Sequence, residues 1–144
     1  MGLCLPSMSC ERKERPGTTE VWLAAWLGGA AIGVANGAAR ELTYGRALSE
    51  PAANRISALT ATAAFLAYFD ALQRRRPLRS RCQALLVGTT WTTLTVGFEF
   101  GLGRARGKEW RELTAEYDLS RGRLWPLVLA TVALGPELAR LRSR

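Results

Sequence analysis

The chain has 144 residues, of which 48% are hydrophobic and 22% charged, and its formal net charge is +8. That length makes one domain. It has no histidine, which excludes histidine-based metal sites, histidine general bases and the usual Ser/His and Cys/His nucleophile pairs.

Mean hydropathy is near zero, but the average hides segregation. Charges gather in 11–20, 40–55, 74–81, 104–123 and 137–144, and the stretches between are nearly charge-free. A soluble amphipathic helix carries polar residues at every turn, so the pattern reads as a small multi-pass membrane protein rather than a soluble helical bundle. Lys and Arg flank the apolar runs, so the basic balance is a matter of membrane topology and not of nucleic-acid binding. Eighteen Arg against two Lys, with abundant Ala and Gly, suggest a GC-rich bacterial genome.

Residues 1–19 read as a flexible cytoplasmic tail punctuated by Pro and Gly, and 20–144 as a single transmembrane domain with helices over about 21–39, 56–73, 82–103 and 124–138. Cys4, Cys10 and Cys82 form no CxxC and read as unpaired thiols. The first segment, Val21–Ala39, has nineteen residues without a charge, with Gly29, Gly33 and Gly37 spaced every four. That spacing predicts a flat face for close helix packing, with Gly33 where a partner backbone approaches. A cleaved signal peptide is the rival reading, but the run is long for one and Arg40-Glu41 follow directly.

On the second segment, Ile56–Gln73, small residues (Ser57, Thr60, Ala64, Ala67, Ala71) line one stripe, expected to face inward. Leu59, Leu66 and Phe69 lie opposite, expected to face lipid. Asp70 sits four residues before Arg74, an interfacial i,i+4 pair. On the third segment Ala84, Gly88, Thr92, Thr95 and Glu99 form one stripe, and Trp91 lies mid-segment. The fourth, Leu124–Leu138, starts with Trp125-Pro126 and is weakened by Gly135-Pro136. Its fifteen residues span only about 22 Å, short of the ~30 Å bilayer core. In the loop before it, Trp110, Leu113 and Tyr117 predict an amphipathic surface helix.

Five Arg within residues 74–81 resist translocation, which puts both termini in the cytoplasm. The outer helix ends then carry a polar cluster of Asn36, Arg40, Glu41, Glu99, Asp118 and Arg123. Ionisable groups near a bilayer usually pair. Arg40 or Arg123 is expected to neutralise Glu99, with Arg123 favoured because segment four follows segment three.

Three pieces of the chain carry a resemblance. They are Asn36-Gly37 with Arg40-Glu41; Trp91 with Phe98-Glu99-Phe100-Gly101 and Gly103; and Glu116-Tyr117-Asp118-Leu119 with Gly122-Arg123-Leu124-Trp125-Pro126-Leu127. Over roughly 22–138 they resemble a family of small, uncharacterised bacterial four-pass integral membrane proteins. The family pattern includes a His near Asn54 and another near Arg104, and this chain has neither. The resemblance implies four passes and no activity.

The expected fold is thus an all-α four-helix transmembrane bundle in the bacterial inner membrane. The expected function is non-enzymatic: the polar cluster stabilises the bundle and binds a small ligand, a lipid headgroup or a partner protein. No catalytic residue, metal site or cofactor is indicated. The bilayer is the expected partner, with a homo-oligomer or a membrane protein as a further one, and no nucleic acid. The alternatives are a small oligomeric transporter or channel subunit and, behind it, a lipid-modifying enzyme.

Overall fold

Apolar runs bounded by Gly, Pro and Ser punctuation become helices, and among the described residues there is no strand. The computed structural model describes residues 17–144. The tail expected over 1–19 therefore falls, up to residue 16, outside the described residues, as do Cys4 and Cys10; Cys82 is exposed and free.

The chain folds as α1 (Thr18–Ala24), α2 (Trp26–Leu42), α3 (Glu50–Arg75), α4 (Arg81–Ala105), α5 (Trp110–Ala115) and α6 (Trp125–Arg142), with 3-10 turns at Tyr44–Arg46 and Leu119–Arg121. α1 and α2 continue one another through Ala25, whose carbonyl accepts the Gly29 N–H at 3.2 Å and the Tyr68 hydroxyl at 3.0 Å. Gly17, in the left-handed region at φ 85°, starts the run. Ser80 caps α4 by accepting the Gln83 N–H at 3.1 Å.

Two helical stretches, Thr18–Leu42 and Glu50–Arg75, are long and apolar enough to cross a membrane. Three boundaries differ from expectation. α2 runs on through Arg40 and Glu41 to Leu42, and α3 starts at Glu50, because Pro51 suits a first helical turn. α6 passes Gly135-Pro136 without stopping and reaches Arg142. Both residues are buried, and Gly135 lies directly against the Phe69 ring. Eighteen residues lengthen α6 to about 27 Å.

α4 and α6 pack along each other, and α3 packs along α6; α1 packs on α4, whereas α2 packs on α3. Trp22, Phe69, Val87, Trp91, Val128 and Val132 are fully buried between them. Phe69 lies in this core, not toward lipid: α3 buries Ser57, Ala61, Phe65 and Phe69, four residues apart, while Ala67 and Ala71 of the small stripe are exposed. Small residues on the neighbouring helices, Ala84 and Gly135 among them, make room for the aromatic rings. Trp91 stands 5.2 Å from Phe69 and donates its indole N–H to the Trp22 carbonyl at 2.8 Å, so its mid-helix position is a core position.

The glycine face also differs from expectation. Gly29 packs under the Trp91 and Phe65 rings, but a Cβ at Gly33 or Gly37 would meet nothing within 4 Å. Those two glycines border open space because α2 leaves α4 beyond its first turns. The close backbone crossing falls at Gly88, which abuts the Ala133 main chain of α6.

Polar groups collect at the two ends of the bundle. At one end, the Gln83 amide donates to the Thr19 hydroxyl at 2.9 Å, the Gln73 amide to the Ser143 hydroxyl at 3.1 Å, and Arg142 pairs with Asp70 at 2.8 Å. Asp70 thus meets a residue of α6 rather than Arg74. The buried Arg140 and the partly buried Glu137 close a two-bond pair nearby. The other end holds the candidate site.

Candidate functional site

Because α1 follows α4 while α2 follows α3, a space opens between α2 and the α3–α4–α6 block. It is a cavity of about 660 Å³, within the range of small-molecule pockets. Its floor is apolar: Gly29, Ala61, Phe65, Trp91 and Val128. Gly33 and Gly37 form its α2 wall, so a stripe suited to close packing serves here to leave volume. Charged residues ring the mouth.

Trp26 bridges α2 to α4 at one edge: its indole N–H donates to Thr95 Oγ1 at 3.2 Å, and its ring meets Phe98 edge-on at 6.0 Å. Asn36 ties α2 to α3. Its amide donates to the Ser57 carbonyl at 2.9 Å and hydroxyl at 2.8 Å, and its Oδ1 accepts from Thr60 at 2.7 Å. One turn on, Arg40 donates to Asn54 Oδ1 at 3.0 Å and lies 3.8 Å from the exposed Glu41. Five of the six sequence-predicted cluster residues therefore line one cavity: Asn36, Arg40, Glu41, Glu99 and Arg123.

Two expectations about that cluster are corrected. Arg123 does not meet Glu99; it pairs with Glu116 at 2.8 Å and lies 3.7 Å from Glu50, because the turn before α6 aims it back at the loop and at the start of α3. Arg40 is likewise engaged with Asn54 and Glu41. Among the described residues, no Lys or Arg stands within 4.0 Å of Glu99. Asp118 lies outside the cavity lining altogether. It caps the 3-10 turn at Leu119–Arg121, accepting the Ser120 N–H at 3.0 Å, and pairs with Arg121 at 3.2 Å. The Ser120 hydroxyl donating to it holds its carboxyl below the ordinary range, with Arg121 helping.

Aromatic side chains surround Glu99 instead of a cation. Tyr117 and Trp125 flank its carboxylate, and the Phe100 ring lies 5.8 Å from Tyr117 and 5.7 Å from Trp110. The Tyr117 hydroxyl oxygen is buried and has no hydrogen-bond partner. Burial pushes its phenol up from the usual range, and the Glu99 charge beside it adds to the effect. The short α5 closes over this region by packing Leu113 against Gly103. Arg104 stacks over Trp110, 5.5 Å from its centre.

Sequence reasoning placed Asn54 at the same polar end but missed several other lining residues, including Arg46, Arg106 and Glu116. Those three sit in connections, where periodicity carries no signal. No family model matches this chain, and neither does any curated protein or solved structure.

Proposed function

We propose that this chain is a four-pass protein of the bacterial inner membrane, with both termini cytoplasmic, that binds a small amphiphile or lipid headgroup in the cavity between α2 and α4. The observation that carries the reading is the cavity itself, about 660 Å³ with an apolar floor and a charged mouth. Membrane insertion is supported by the large apolar side chains left exposed on every long helix: Leu27 and Val34 on α2, Leu59 on α3, Leu86 and Leu94 on α4, Leu134 on α6. A monomer in water rarely exposes so much apolar surface. On this reading α4 and α6 cross the bilayer beside the two more apolar spans, and the cavity opens at the outer face. The reading is one of binding, because an apolar floor under a charged mouth suits an amphiphile. The transport alternative lacks comparable support, since the fully buried Trp22, Phe69 and Val87 occupy the bundle centre below the floor.

Gly33→Leu tests the reading. The new side chain grows into the cavity and touches no other group at its Cβ. The variant should be at least as stable as the parent in detergent and lose the lipid or metabolite that co-purifies with the parent. Identical co-purified material from parent and variant would count against the cavity as a binding site.

A further inference from the structure

The charges of the cavity are divided between its walls. α2 contributes the Arg40 guanidinium, which spends one nitrogen on Asn54 and has only the exposed Glu41, 3.8 Å away, as an acidic neighbour. A guanidinium has five donors in a planar fork suited to phosphate, so Arg40 retains donors for a ligand. α4 contributes the Glu99 carboxylate, which no cation of the described residues neutralises, since Arg123 is taken up by Glu116. Around Glu99, Tyr117, Trp125 and Phe100 line the same cavity. Aromatic faces beside a carboxylate attract an ammonium through ring quadrupole and charge together. The buried Tyr117 hydroxyl adds a second polar group beside the carboxylate.

A purely anionic ligand would leave Glu99 facing its charge, and a purely cationic one would face Arg40. Five basic and four acidic side chains line the cavity, a near-balance that favours neither. Resting on the binding function proposed above, we infer that the cavity recognises a zwitterionic amino-phosphate head. The phosphate sits on the α2 side at Arg40, the ammonium sits in the Glu99–Tyr117–Trp125 corner, and an apolar chain lies along the floor by Phe65 and Trp91. The chemistry is shared by an aminophospholipid and by free phosphoethanolamine; the apolar floor is used only by the lipid.

The test is native mass spectrometry of the full chain in a neutral maltoside detergent. It is titrated separately with phosphatidylethanolamine, phosphatidylglycerol and water-soluble phosphoethanolamine. The aminophospholipid should bind about tenfold more tightly than the glycerol lipid, the scale of one charge-assisted contact. Glu99→Gln should reduce that preference to about twofold or less, while Arg40→Gln should weaken both lipids by about fivefold or more. Saturation by free phosphoethanolamine at matching concentrations would identify a soluble ligand of the same chemistry; saturation by the lipid alone would identify the membrane as the source. Equal affinity for the two lipids in the parent overturns the inference and leaves the binding reading standing. So does an undiminished preference in Glu99→Gln. The parent comparison needs no variant, so it decides even if Glu99→Gln fails to fold. Absence of saturable binding by all three probes overturns both readings.

Discussion

Gly88 and Gly33 look alike in sequence, each a glycine within an apolar helix, and the structure assigns them opposite roles. An alanine methyl at Gly88 would press into the Ala133 carbonyl, with the carbonyl carbon 2.9 Å and the Cα 3.4 Å away. Those atoms are main chain, so no rotamer relieves the contact and α4 and α6 must part by roughly an ångström; a gap of that size forfeits about a quarter to a half of the dispersion along it. Overpacking of this kind costs about 1–3 kcal/mol, and the upper half applies because both sides are backbone. Alanine recovers at most ~1 kcal/mol of glycine's helix penalty, so Gly88→Ala should destabilise by roughly 2 kcal/mol. Gly33→Ala meets nothing and keeps only the recovery, a gain of up to ~1 kcal/mol. Denaturant titration of both variants in one detergent measures the separation, expected near 3 kcal/mol. A Gly88→Ala variant as stable as the parent would refute the reasoning, as would a Gly33→Ala variant damaged equally.

Asn36→Ala removes three hydrogen bonds between α2 and α3; at ~0.6 kcal/mol for a typical interhelical bond in a bilayer it should cost about 2 kcal/mol, read as a lowered denaturation midpoint. Glu137→Ala strands the buried Arg140 and should cost roughly 3–5 kcal/mol, whereas Asp70→Ala, whose partner Arg142 is half exposed, should cost under ~1 kcal/mol; the same titration ranks them, and equal costs would remove the distinction. Glu99→Gln breaks no ion pair and should leave stability within about 1 kcal/mol of the parent. A reporter fused after Arg144 should behave as cytoplasmic and one inserted near Lys108 as periplasmic, and the opposite pattern would invert the proposed orientation.

The helices were legible where charge segregation marks them, and so was the gathering of Asn36, Arg40, Glu41, Glu99 and Arg123 at one end. That inference needed only helix count and antiparallel order. What periodicity does not encode is the occupant opposite each face. A glycine reports that close approach is allowed, and only the neighbouring helix decides whether it happens, so Gly88 and Gly33 could not be told apart. Pairing failed for a similar reason. Arg123 finds Glu116 in the preceding loop and Glu50 at the start of α3, both outside the apolar windows that defined the segments. Asp70 finds Arg142 beyond the point where Gly135-Pro136 suggested an end. The small-residue stripe does not mark the inner face of α3, where Phe69 is fully buried. At Phe69 it is the neighbour, Gly135 of α6, that supplies the small residue and α3 the large one. The Pro51 start of α3 could have been found, since proline in a first turn is a known helix-start signal.

The cavity follows from how the first helix is attached. Through Trp22 and Trp91, α1 is fastened to α4, and through Asn36, Ser57 and Thr60, α2 is fastened to α3. The change of partner occurs around Ala25, where the Tyr68 hydroxyl shares the carbonyl with Gly29; a side chain engaging a helical carbonyl is one established cause of a bend. Beyond that point α2 presents Gly29, Ala30, Gly33 and Gly37 toward the cavity. Leucines at Gly33 and Gly37, where a Cβ meets nothing within 4 Å, would fill the space, and filling it would stabilise the fold, since burying an aliphatic side chain contributes about 1.5–3 kcal/mol. The chain forgoes that gain at Gly33 and Gly37 while fixing α2 with a three-bond polar staple. Small walls on a firmly held helix maintain an open volume, and the charged mouth keeps that volume accessible to something polar. A scaffold that only had to stay folded would gain stability from larger residues at Gly33 and Gly37, so the retained void is the strongest structural argument that this end of the bundle accommodates a ligand.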